Sequence, residues 1–193
     1  MTRPTFDLGF ASPEDAPAVA GVLQEAARWI TTWRSQLWDP ALVGETFVRP
    51  IIARGQMLTA RTPEGIAGVM ILLPEDPHFW PDRRAGEAIY LHKLAVRRAH
   101  AGTGVPAALI DHAAGLAQAQ GRDLLRLDCD PPLAPFYEGL GFRAVDKIDV
   151  RHPEAGPMRV ARMERGLASA KPIGDCGEDR TIGGAGRSDN GAA

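Results

Sequence analysis

Residues 90–114 read YLHKLAVRRAHAGTGVPAALIDHAA, and the fold turns on how this stretch is parsed. Its first part, Ala88–Val96 with the two residues before Tyr90, is an apolar-rich strand. Its last part places Val105, Leu109, His112 and Leu116 on one helical face. Between them stand Gly102 and Gly104. The first N–H groups of a helix lack partners within it, and the macrodipole adds partial positive charge there. Glycines let a ligand approach the backbone closely and adopt positive φ. Such a corner seats a diphosphate without charged side chains. The same glycines equally serve a turn that needs only their geometry. Pro106 has no N–H, but it suits a first helical turn, where that group has no helical partner.

Working outward, Thr5–Phe10 alternates as a first strand. Ser12, Pro13 and Asp15 open a helix that Val19, Val22, Leu23, Ala26, Ala27 and Ile30 continue. A loop with Trp33 and Trp38 follows, and Asp39-Pro40 starts a second helix running to about Arg54. Gln56–Ala60 and Ile66–Leu73 form a hairpin. Pro74–Gly86 is a loop carrying His78, Phe79 and Trp80. Downstream come a strand at Leu124–Cys129, a short helix at Leu133–Leu140, and closing strands at Phe142–Val150 and Met158–Met163. Hairpins combined with one βαβ crossover imply an α/β (α+β) fold: a mixed, mostly antiparallel sheet of about six or seven strands with helices on both faces. Residues 1–167 form the domain. Residues 168–193 carry six glycines, no aromatic residue and only Ile173 and Ile182 as large aliphatics, so they read as a disordered tail.

The bulk numbers narrow the function. A chain of 193 residues suits one domain. Its net charge of −2 gives no electrostatic reason to expect nucleic acid or an anionic membrane as partner. No signal peptide or membrane span is evident, and Cys129 and Cys176 read as reduced thiols of a cytoplasmic protein. No P-loop occurs, and the glycine corner lacks the third glycine of a dinucleotide fingerprint. No His, Cys or carboxylate spacing suggests a metal.

The stretch quoted above, followed by LRLDCD and FYEGLGF, resembles the GCN5-related N-acetyltransferases, the GNAT superfamily. The resemblance covers roughly residues 5–166 and is strongest over 88–142. It implies acetyl-CoA as co-substrate, with its diphosphate at the glycine corner. The family's turn is commonly Arg/Gln-x-x-Gly-x-Gly/Ala. Laid on this chain those positions are Ala101, Gly104 and Pro106, so only the middle one matches. The resemblance assigns the diphosphate to the amides of Gly102, Thr103, Gly104, Val105 and Ala107, with Ala101 at the turn. Arg97, Arg98 and His100 supply nearby charge. It assigns the pantetheine arm to the backbone of Leu94, Ala95 and Val96, by β-augmentation. Asp130 and Phe136 are further cofactor contacts, Asp130 alternatively capping the next helix.

Tyr137 matches the family position often assigned as general acid to the leaving sulfur. Period-two alternation puts Tyr90, His92, Leu94 and Val96 on one strand face. An L-H-x-L-A-V strand also occurs in arylalkylamine acetyltransferases, where this His takes the amine proton. The resemblance therefore makes His92 the general base, with Asp128, Glu87 and Tyr90 as alternatives. His112 reads as packing. Trp33, Trp38, Phe79, Trp80 and Tyr90 are candidates for the acceptor pocket, by apolar or cation–π contact, or equally for satellite core. The resemblance implies an N-acetyltransferase acting on a small primary amine in a ternary complex. Alternatives are a protein N-terminal or lysine acetyltransferase, or a non-catalytic acyl-CoA sensor. A homodimer is compatible with every one of these.

Overall fold

The computed structural model describes residues 5–30, 38–152 and 156–167. The strands are β1 (Asp7–Phe10), β2 (Met57–Thr62), β3 (Gly65–Leu73), β4 (Ala88–Val96), β5 (Leu124–Cys129), β6 (Arg143–His152) and β7 (Gly156–Gly166). The helices are α1 (Ala16–Ile30), α2 (Glu45–Ala53), α3 (Val105–Ala119) and α4 (Ala134–Glu138). The strands form one sheet in the order β1-β2-β3-β4-β5-β7-β6. Neighbours are antiparallel except β4 and β5, which run parallel. A parallel pair needs a crossover, and α3 is that crossover.

Alternation along β2 and β3 sorts side chains to two faces. Leu58, Ala60, Ala67, Met70 and Leu72 pack with α3. Met57, Ile66, Val69 and Ile71 pack with α1 and α2. A third cluster lies under the 74–86 loop, where Phe79 and Trp80 cover Tyr90 and Val160. The mixed sheet with helices on both faces expected from the element order is therefore present.

Several boundaries differ from the sequence expectation. The second helix starts at Glu45 rather than Asp39. The Asp39 side chain accepts from the Ala41 amide at 2.8 Å and its carbonyl from the Leu42 amide at 3.0 Å, which closes a turn instead of opening a helix. The α3 seam is Val105, Leu109, Ile110, Ala113, Ala114 and Ala117, with His112 and Leu116 half-buried at its flanks. The short helix is confined to Ala134–Glu138 after a 3-10 turn at Pro131–Leu133. Trp33 and the proposed tail at 168–193 lie outside the described residues.

Sheet and crossover helix meet at Gly68. A Cβ there would stand 2.5 Å from Val105 Cγ1 and 3.0 Å from the Ala95 carbonyl oxygen. Neither neighbour is a flexible side-chain end. Gly68→Ala is therefore expected to destabilise by about 2 kcal/mol, in the usual range for overpacking. Thermal melting by circular dichroism checks this, and an unchanged midpoint would contradict the packing described.

Candidate active site

Pairing of β4 with β5 runs from Ala88↔Leu124 to Leu91↔Leu127 and then stops. The cause lies in β4. Against β3, His92 pairs with Ile71 but Ala95 pairs with Val69, so β4 carries one extra residue. Lys93 sits at this bulge with φ of 51°, the single non-glycine with positive φ among the described residues. A bulge bends its strand and re-aims side chains. Here it also reverses the face. Before it, Ile89 and Leu91 face α3 while Tyr90 faces the opposite side; after it, Leu94 and Val96 face α3 and Ala95 the α1 side. His92 therefore does not share a face with Leu94 and Val96, as uninterrupted alternation would require.

Where the strands part lies a cavity of about 220 Å³, lined among others by Trp38, Phe79, His92, Asp128, Asp130 and Tyr137. His92 Nε2 stands 3.0 Å from Asp76 Oδ2, and Asp76 is buried, its side chain 6% exposed. The other Asp76 oxygen accepts from the Phe79 amide at 3.2 Å. Burial pushes the Asp76 carboxyl up, but the hydrogen bond and charge of His92 and the amides of Phe79 and His78 outweigh it, holding the group below its ordinary value. An ionised carboxylate only accepts, so Nε2 carries the hydrogen, and in the neutral imidazole Nδ1 then carries the lone pair. Nδ1 faces Asp128 Oδ1 at 3.9 Å. Burial, followed by the charge of Asp76, pushes Asp128 up to about 6, with His92 and Lys93 pulling the other way.

Asp76, His92 and Asp128 offer one ligand atom each within 4.8 Å of one another, so they are the described residues placed to hold a metal ion. They come from a loop and two strands, which is why spacing in the sequence does not reveal them. Tyr137 enters the cavity from α4, packed edge-on against Phe136 and Phe142. Burial, together with the neighbouring Cys129 and Asp128, raises its phenol well above the ordinary range, so it is protonated at neutral pH. Phe136 itself is exposed outside the cavity, whereas Leu94, Cys129 and Asp130 line it.

Gly102 and Gly104 both have positive φ, 76° and 91°, and Gly104 is the residue before α3. Among the described residues the amides of Gly102, Gly104, Val105 and Ala107 have no protein partner. The Thr103 amide donates to the His100 carbonyl at 3.3 Å and its hydroxyl to the same oxygen at 2.8 Å, so both are already engaged. Arg97 is tied to Glu25 and to the Ile66 carbonyl, and Arg98 stacks on Trp29.

The aromatic candidates divide. Trp38 and Phe79 line the cavity. Tyr90 and Trp80 do not: both are buried in the third core cluster, where the Tyr90 hydroxyl accepts from Arg126 at 3.4 Å. The guanidiniums of Arg126 and Arg162 stand over the Trp80 ring, 5.2 and 4.8 Å from its centre. Arg162 was not foreseen from the sequence. Its side chain is 5% exposed and is bonded to Asp146, Asp82 and the Phe79 carbonyl. It thereby pins the loop that brings Asp76 to His92.

Residues 53–144 match the family described as acetyltransferase (GNAT) domain. The uncharacterized N-acetyltransferase YesJ of Bacillus subtilis is 32% identical over 138 residues, spanning 67% of this chain and 77% of YesJ. The chain belongs to the GNAT superfamily. A GNAT-family acetyltransferase from Listeria monocytogenes superposes with a TM-score of 0.66 at 25% identity, covering 84% of this chain and 95% of that one. The PaiA N-acetyltransferase of Thermoplasma acidophilum, solved in complex with coenzyme A, gives 0.64 at 16% identity over 84% of this chain and 99% of its own, a likeness of fold. As a GNAT protein the chain is an acyltransferase of the N-acetyltransferase type. No described helix is long and apolar enough to cross a membrane.

Proposed function

We propose that this GNAT protein transfers the acetyl group of acetyl-CoA to a primary amine of a small molecule, by direct attack within a ternary complex. The PaiA relative solved with coenzyme A supports the choice of co-substrate. The diphosphate is held by the unpartnered amides of Gly102, Gly104, Val105 and Ala107. The pantetheine arm lies along the β4 edge beyond Leu91, which has no strand on its β5 side. The thioester then reaches the cavity between β4 and β5.

The observation that carries this reading is that an Asp-tied imidazole and a protonated phenol, His92 and Tyr137, line one cavity at the split between the strands. His92 Nδ1 takes a proton from the amine, and Asp76 fixes the tautomer that leaves this nitrogen basic. The amine nitrogen bonds to the carbonyl carbon and the carbon–sulfur bond breaks. Tyr137 hands its phenol proton to the sulfur and is reprotonated by the second proton leaving nitrogen. The net reaction turns an ammonium ion and acetyl-CoA into an amide, free thiol and one proton. A cavity of about 220 Å³ favours a compact acceptor over a folded protein surface. A cytoplasmic location accords with this co-substrate.

Thiol release from acetyl-CoA, followed with a panel of small primary amines, tests the proposal. Amine-dependent release with formation of the matching amide is expected. Coenzyme A binding without release for any amine would overturn it. In the same assay Tyr137→Phe is expected to lower kcat by about 10²-fold, the lower range for general acid–base groups. Its KM for acetyl-CoA should change little, since the ring is retained.

A further inference from the structure

Asp128 Oδ1 is buried and has no hydrogen-bond partner. A buried carboxylate oxygen without a donor keeps its desolvation cost, and folded proteins rarely leave one so. Its surroundings explain what the donor is. Facing it are His92 and Lys93 from β4, Asp76 from the 74–86 loop, Tyr137 from α4, and its neighbours Cys129 and Asp130. The Lys93 ammonium is drawn over the Trp38 ring, 4.7 Å from its centre. His92 Nε2 is taken by Asp76, leaving Nδ1, and the carboxyl of Asp128 stands 3.9 Å from that nitrogen. An amine nitrogen at about 3 Å from Nδ1 on the Asp128 side lies within hydrogen-bond reach of both groups. Around them the cavity wall is apolar, from Trp38, Phe79, Met158 and Val160.

Building on the acetyl transfer proposed above, we propose that the acceptor enters as its ammonium ion, held between the Asp128 carboxylate and His92 Nδ1. The substrates are then strongly basic aliphatic amines with a compact apolar or aromatic body, and weakly basic arylamines are rejected. One N–H of the ammonium is given up to Nδ1 and starts the reaction. A second N–H donates to Asp128 Oδ1, the oxygen without a partner. An arylamine, neutral near pH 7, offers Asp128 no charge and gains nothing from its desolvation.

Benzylamine and 4-methylaniline are isomers of one formula, the first an ammonium ion near neutral pH and the second neutral. The wild type is expected to prefer benzylamine. Asp128→Asn keeps the shape and is expected to raise the benzylamine KM by about 10–100-fold, the range for a hydrogen bond to a charged group. The loss on 4-methylaniline, which carries no charge for Asp128 to hold, should be smaller, so the preference for benzylamine narrows. Equal losses on both isomers, or an unchanged benzylamine KM, would overturn the proposal. Calorimetric binding of benzylamine to the coenzyme A-bound protein gives a readout that does not need turnover. There too Asp128→Asn must bind about 10–100-fold more weakly. Equal affinity, or no binding to the wild type, would refute the clamp even if acetyl transfer to other amines were found. Coenzyme A affinity and the melting midpoint of the variant verify that its fold is kept.

Discussion

His92→Ala is expected to lower kcat by about 10²–10⁴-fold, the span observed for a positioned general base. The geometry gives the reason. Nδ1 is the single ring nitrogen left basic by the Asp76 contact, and it opens on the cavity where β4 leaves β5. Without it, deprotonation falls to water, and the residual rate should climb with pH toward the pKa of the amine itself. Acetyl-CoA binding should be unaffected, because the amide corner is formed by other residues. Asp76→Asn should give a smaller loss, about tenfold, as an orienting partner is lost while the base remains. Steady-state rates across pH check both. A His92→Ala enzyme within threefold of wild type at every pH would remove the base from the account.

Arg162→Leu is expected to produce the largest loss of stability. A guanidinium with a side chain only 5% exposed joins β6 through Asp146, the 74–86 loop through Asp82 and the Phe79 carbonyl, and the face of Trp80. Breaking such a buried pair costs about 3–5 kcal/mol in general. Asp82 and Asp146 are 52% and 39% exposed and are rehydrated once released, so about 2–3 kcal/mol is expected here. Arg162→Lys should fall between, since one ammonium cannot replace a fork that grips two carboxylates. Arg162 holds Asp82 and Asp146 below the ordinary carboxylate range. Depressed carboxylates stabilise the fold above their unfolded pKa, near 3.8. That contribution is lost as pH falls through the lower folded values. Wild type should thus lose stability on acidification below about pH 4 and Arg162→Leu should lose less, with chemical denaturation at several pH values as the check. Activity falls with the strap, because Asp76 and Phe79 ride on it.

The strand, glycine corner and helix of residues 88–119 were legible because each has a local cause: alternation, positive-φ glycines and a helical apolar seam. The two-faced sheet followed from the order of those elements. His92 and Tyr137 were singled out from short motifs, and the structure brings both to one cavity. What local pattern does not hold is what the bulge and the loop create. Period-two counting assumes an even strand, and one extra residue at Lys93 sends His92 to the opposite face from Leu94 and Val96. Asp76 sits in a loop with no periodicity and meets His92 only through the fold. Arg162 looks like an outward charge in a closing strand until the 74–86 loop is laid over it. Trp80 and Tyr90 looked like acceptor contacts because aromatics cluster near them in sequence. In the structure they form the bed on which the strap rests.

Backbone amide NMR during a titration with coenzyme A tests the account at its base. The signals of Gly102, Gly104, Val105 and Ala107 are expected to move together and saturate at one stoichiometry, with Leu94 responding on the β4 edge. Saturating binding that leaves these amides unmoved while others shift would contradict the placement of the co-substrate and the chemistry built on it.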